Sequence, residues 1–256
     1  MAVSKLQNIF PRITTRGFYD LKTGKTLVKI PYRLYPKKKF DEFTNSKELT
    51  IMIHGLRNNN SGALSKFVIA QKRLKQLKYN HHVVGFSYDS NTVGVQYNSH
   101  AIHALNVGII IAKKNGKNLA KFISDFRNKS PITKIRLIGH SLGTHVILNT
   151  IIELSKKSKN KGIIESVYFF GGSISNDSLQ PKNFGKNVEN IVKSKIKNYY
   201  SPSDEVLRTA DDENWVLTPI GYKGVVGKVS SKYSQILVKP KNHRFASYAS
   251  TLKSFP

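Results

Sequence analysis

Apolar positions fall into short runs separated by longer stretches of helical period, and this alternation sets the expected elements. Residues 16–35 read as a hairpin turning near Lys22-Thr-Gly24, rich in β-branched and aromatic residues on both sides, and are expected to supply edge strands. Pro36 ends that pattern and opens a mostly polar loop through Lys47, after which residues 48–53 begin a buried strand. A helix is expected from about 63 to 77, with Leu64, Phe67, Val68, Leu74 and Leu77 at helical intervals, followed by a second buried strand at 82–87. A long helical pattern runs from roughly 100 to 126, with Asn115-Gly116 as a point of interruption. Strand 134–138 and helix 142–156 come next, then strand 165–170, a short helix near 187–195 and strand 196–200. A last strand at 235–239 precedes a terminal helix at 245–252.

Strands alternating with helices imply βαβ crossovers and a largely parallel sheet covered on both faces, the α/β class. No internal repeat or linker-like tract divides the chain, and residues 1–256 are expected to form a single domain. The lysine-rich stretch 155–162 reads as a solvated helix end.

Charge changes the picture more than composition does. The formal charge is +27, from 42 basic and 15 acidic residues. Such a field draws anionic lipids, nucleic acids or acidic substrates. Of the basic residues 33 are Lys and 9 are Arg, whereas bidentate base and phosphate recognition favours Arg, so nucleic acid is not an expected partner. A general basic bias and an anionic membrane surface both remain open; only the second predicts steep salt dependence. Absence of Cys excludes disulfides and a thiol nucleophile. No apolar run is long enough to span a bilayer, and residues 1–10 lack the apolar segment of a secretory signal. The expected location is cytoplasmic, or peripheral to a membrane.

Gly139-His-Ser-Leu-Gly143 fits the Gly-x-Ser-x-Gly elbow between an apolar strand and an apolar helix. In that context the Ser sits on a sharp turn that lifts its Oγ above the sheet. Side chains two residues to either side would collide where strand and helix converge, which suits glycine at 139 and 143. The helix start also aims free N–H groups at developing negative charge.

These features resemble the α/β-hydrolase superfamily, in particular serine esterase-like and lipase-like branches that carry a His-Gly loop (His54-Gly55), a Phe-Ser-aromatic strand end (Phe86-Ser-Tyr88) and a Gly-His-Ser-Leu-Gly elbow. The resemblance extends from the hairpin near Gly24 to the last helix. It implies a single α/β-hydrolase domain with a small or absent cap, and chain order Ser, acid, His. His243, after the last strand, is then the expected base, because His145 lies one turn into the elbow helix. Asp204, after strand 196–200, is the expected acid. Asp177 is its rival, and Glu205, Asp211 and Asp212 are weaker candidates.

On this reading Ser141 attacks a carbonyl carbon, His243 takes its proton, Asp204 orients the imidazole, and water resolves the acyl-enzyme. The backbone N–H groups of Leu142 and, by family position, Leu56 are the expected oxyanion donors. His54 is expected to shape the oxyanion loop and His140 to pack beside the nucleophile. No cofactor or metal is expected: His81-His82 and His100/His103 lack a third ligand at suitable spacing.

The expected substrate is a small-molecule or lipid carboxylic ester. A thioesterase, amidase, lactonase or acyltransferase would use the same residues, and a noncatalytic basic module could use the same scaffold. About 25 residues separate strands 165–170 and 196–200, leaving no room for a large cap. The stretch 208–234, with Trp215, Tyr222 and several glycines, is the candidate flap over an open cleft for short or medium acyl chains.

Overall fold

A computed structural model describes residues 10–94 and 100–256, so most of residues 1–10, read for a secretory signal, lies outside the described residues. Strands β1 (Arg12–Thr14), β2 (Arg33–Tyr35), β3 (Glu48–Ile53), β4 (His82–Ser87), β5 (Lys134–His140), β6 (Ile164–Phe170), β7 (Val192–Tyr200) and β8 (Tyr233–Leu237) form one sheet in the order β2-β1-β4-β3-β5-β6-β7-β8. The β1–β2 pair is antiparallel and the other pairs are parallel. Helices are α1 (Lys37–Glu42), α2 (Asn60–Gln76), α3 (Ala101–Lys129), α4 (Gly143–Ser155), α5 (Gly185–Ile191), α6 (Glu205–Asp212), α7 (Ile220–Lys223) and α8 (Phe245–Thr251). This is the expected α/β architecture, and the described residues form no large cap.

Period-two alternation divides the buried strands between two cores. Leu49, Ile51, Ile53, Val167 and Phe169 pack with α3, α4 and α5 on one face. Met52, Ile138, Tyr168 and Phe170 face α2 and α8 on the other. Because the central strands are parallel, the turns at their carboxyl ends, where ligands bind in such sheets, gather on one edge.

Four local expectations are corrected. The turn at 20–24 exists, with an isolated bridge between Tyr19 and Thr26, but the paired edge strands are the short flanking segments β1 and β2. Between Pro36 and Lys47 the expected loop contains α1, because Phe40 and Phe43 bury themselves, with Phe40 edge-on to Phe122 at 5.8 Å. Helix α3 runs unbroken through Asn115-Gly116. A Cβ on Gly116 would lie 2.4 Å from Asn149 Cβ, so the glycine lets α3 and α4 approach, and buried Asn115 donates to Ile111 O while accepting from Thr15 Oγ. Finally, residues 192–195 belong to β7, since pairing with β6 begins at Val192.

Candidate active site

Strand β5 enters α4 through a turn in which Ser141 has φ +51°. That left-handed conformation costs a non-glycine residue about 1 to 2 kcal/mol and is held by its surroundings. The Ser141 N–H donates to Phe170 O at 3.1 Å, and Thr144 Oγ1–H donates to Ser141 O at 2.7 Å. A Cβ on Gly143 would fall 2.6 Å from Ile53 O, and one on Gly139 2.6 Å from Ile147 Cδ1. The helix therefore starts against the end of β3 only because both positions lack side chains.

Ser141 Oγ lies 2.9 Å from His243 Nε2, and His243 Nδ1 lies 2.7 Å from Asp204 Oδ2. With Nδ1–H donating to the carboxylate, Nε2 is left to accept from the serine hydroxyl. The three residues come from the ends of β5 and β7 and from the loop after β8, and meet across 102 and 39 residues of chain. Asp204 is 1% exposed. Burial alone would raise its carboxyl, but the hydrogen bond and charge of His243, with bonds from Tyr248 OH and Leu207 N–H, outweigh this and hold it below the usual range.

Asp177 stands elsewhere, with its carboxylate taken by Ser175 Oγ and Asn183 Nδ2. Asp211 pairs with Lys223. His145 donates from Nε2 to Ser173 O at 3.1 Å, away from the serine hydroxyl, and desolvation lowers its pKa to about 4. His140 donates from Nε2 to His243 O at 2.8 Å, which ties the elbow to the histidine loop. Desolvation, then the neighbouring His243, lowers its pKa to about 3, so it is neutral.

The loop after β3 is clamped from several sides. His54 stacks on Tyr88 at 4.5 Å; its Nδ1–H donates to Gly55 O, and Nε2 accepts the Tyr88 N–H. Asn58 Nδ2 donates to both Gly55 O and Leu56 O. Arg16 then reaches from the end of β1 to Asn58 O at 2.9 Å, Asn59 O at 3.1 Å, Ser87 Oγ at 2.9 Å and His54 Nε2 at 3.2 Å. Asp89, in turn, accepts N–H bonds from Gly17, Phe18 and Tyr19 and fixes the segment that carries Arg16. Desolvation lowers the Arg16 pKa to about 10, against the opposing charge of Asp89.

Leu56 and Leu142 both line a cleft of about 220 Å³ with Ser141 and His243. Leu142 precedes the first residue of α4, where backbone N–H groups have no carbonyl one turn back. The remaining wall is mainly apolar, with Leu105 from α3 on one side and Val206, Leu207, Ala210, Trp215 and Val216 on the other. Trp215 thus sits where the flap was expected. Tyr222 does not line the cleft; it lies beneath the Lys223 ammonium on α7.

Comparison with known proteins gives partial matches. A family model described as a protein of unknown function, DUF726, matches residues 95–210. A Caenorhabditis elegans protein named as an uncharacterized membrane protein is 36% identical over 104 residues, 40% of this chain and 16% of that relative, so the chain spans under a fifth of its length. Among solved structures, a lipase-esterase related protein from Clostridium acetobutylicum has a TM-score of 0.44 at 13% identity, over 80% of this chain and 91% of that one. A Trichoderma reesei cutinase in complex with a phosphonate inhibitor gives 0.36 at 18%, over 60% and 67%. A cutinase-like protein from Cryptococcus sp. gives 0.34 at 12%, over 76% and 78%.

Four polar residues at the site had no signal in the sequence reading: Arg16, Asn58, Asp89 and Tyr248. Arg16 lay within the expected hairpin, and Tyr248 within the expected terminal helix. Arg16 meets Asn58 O 42 residues away, Asp89 meets the Gly17 N–H 72 residues away and Tyr248 meets Asp204 44 residues away, beyond the range of any local motif.

Proposed function

We propose that this chain is a single-domain serine hydrolase that cleaves carboxylic esters through an acyl-enzyme on Ser141. The observation that carries the reading is the Ser141, His243 and Asp204 relay at 2.9 and 2.7 Å, on a serine held in a left-handed turn. Ser141 Oγ bonds to the acyl carbon as His243 Nε2 takes its proton; Asp204 stabilises the imidazolium. The tetrahedral oxyanion lies against the N–H groups of Leu142 and Leu56. Loss of either donor would cost about 10² to 10³ in rate. As the intermediate collapses, His243 returns the proton to the departing alkoxide. Water then attacks the acyl-enzyme by the same relay in reverse. The apolar walls of the cleft support short or medium acyl chains.

The deciding experiment is covalent labelling by a fluorophosphonate probe of the wild type and Ser141→Ala. Labelling is expected in the wild type only; equal labelling of both would remove Ser141 as nucleophile.

The +27 charge and the name of the nematode relative support an anionic membrane surface as the working partner. No helix among the described residues is long and apolar enough to cross a membrane. Sedimentation with vesicles containing anionic lipid should fall steeply with added salt, and equal binding to neutral vesicles would discard this partner.

A further inference from the structure

Two non-glycine residues on the cleft wall have left-handed backbones: Ser141 and Arg57, the latter at φ +59°. For Ser141 the strain lifts the hydroxyl over the sheet. Arg57 follows Leu56 directly, and its N–H donates to Ser90 O at 2.9 Å. The clamp formed by Asn58 and Arg16 holds the loop around it. Its side chain is exposed at the mouth of the cleft, and among the described residues its guanidinium has no carboxylate partner.

Among the described residues, Arg57 is the one permanently charged residue lining a cleft whose other walls are apolar or carry Ser and His side chains. Among the described residues no Asp or Glu shares that lining; Asp204 is buried behind His243 and already bonded. An anion at the mouth meets an attractive field, whereas an acyl chain is suited to Leu105, Val206, Leu207 and Trp215.

We propose that Arg57 selects esters whose alcohol carries an anionic oxyacid group, phosphate or carboxylate, which its planar fork can bind while the acyl chain occupies the apolar wall. The proposal rests on the ester-hydrolase reading above. The anion takes no part in bond making. The Ser141–acyl bond forms as the acyl–alkoxide bond breaks, the serine proton passes through His243 to the alkoxide, and the alcohol leaves with its anionic group intact.

The test compares kcat/KM for three soluble butyric esters: those of glycerol, glycerol 3-phosphate and glycolic acid. Each is measured for the wild type, Arg57→Asn and Arg57→Lys; Asn is chosen because it tolerates the left-handed backbone. In the wild type at least one anionic ester should exceed the neutral one by about tenfold or more, the size of a charge-assisted contact. That ratio should fall towards one in Arg57→Asn and stay intermediate in Arg57→Lys. Using a ratio cancels any general loss from the substitution. An unchanged ratio in Arg57→Asn, or a wild type that hydrolyses the neutral ester as well as both anionic ones, overturns this selectivity alone. Failure to cleave any ester, together with equal probe labelling of Ser141→Ala, would overturn the hydrolase reading and this inference with it.

Discussion

The Tyr248 hydroxyl donates to Asp204 Oδ2 at 2.6 Å, the same oxygen that accepts His243 Nδ1–H at 2.7 Å. One carboxylate oxygen is thus shared between the relay and a tyrosine from the terminal helix. In Tyr248→Phe, that oxygen keeps more of its charge for the imidazole. The acidic limb of the kcat/KM profile should therefore move to higher pH, with a stability loss of about 1 to 2 kcal/mol from the under-satisfied carboxylate. A purely structural tyrosine would lower the melting temperature and leave the limb in place.

Arg16 touches neither the serine nor the cleft, yet it bonds two carbonyls of the segment that follows Leu56. On the proposed mechanism the Leu56 N–H is an oxyanion donor, which acts mainly in the transition state, so loosening its support should lower kcat more than it raises KM. Arg16→Met is expected to lose about 10 to 10² in kcat. Arg16→Lys should recover little, because an ammonium cannot span the same set of acceptors. A change confined to KM would contradict the positioning role.

Gly116→Ala sets two effects against each other. Alanine favours helix by about 1 kcal/mol, but its Cβ would stand 2.4 Å from Asn149 Cβ and 2.7 Å from the Asn149 carbonyl carbon. Overpacking at a fixed helix crossing typically costs about 1 to 3 kcal/mol, so clash should win and the urea midpoint should fall. A midpoint at or above that of the wild type would show that α3 and α4 can separate freely.

Acid should destabilise the fold before any carboxylate titrates. His140 and His145 are held neutral, with pKa values lowered to about 3 and about 4 chiefly by desolvation, and buried His54 is lowered in the same direction. Between those values and the ordinary histidine value of about 6.5, the unfolded chain binds protons that the folded chain refuses. Stability is then full above about pH 6.5 and falls with decreasing pH, by about 1.4 kcal/mol per pH unit for each such histidine. The lowered Asp204 adds a loss below about pH 4, where the unfolded carboxyl takes up its proton. Urea melts from pH 7.5 to 5 should show the slope, and His145→Gln, which keeps a donor for Ser173 O, should flatten it by about one proton's share. An identical slope in that variant would count against the buried-neutral account of His145.

What depends on neighbours along the chain was legible without the fold. Periodicity placed β4 at His82–Ser87 and put Leu64, Phe67 and Leu74 on the buried face of α2, because strand and helix repeats are local properties of the backbone. The elbow was legible for the same reason: Gly139, Ser141 and Gly143 must fit one tight turn. Whatever depends on two distant segments meeting emerged only with the fold. Asn115-Gly116 reads locally as a helix breaker, yet the close approach of α4 makes it a contact. Phe40 and Phe43 draw a polar stretch into a helix because Phe122 is there to receive Phe40. Arg16 and Tyr248 acquire their roles only when the sheet brings β1 beside β4 and α8 beside the end of β7. A buried hydrogen bond selects its partner by position in space, and no spacing along the chain encodes that position.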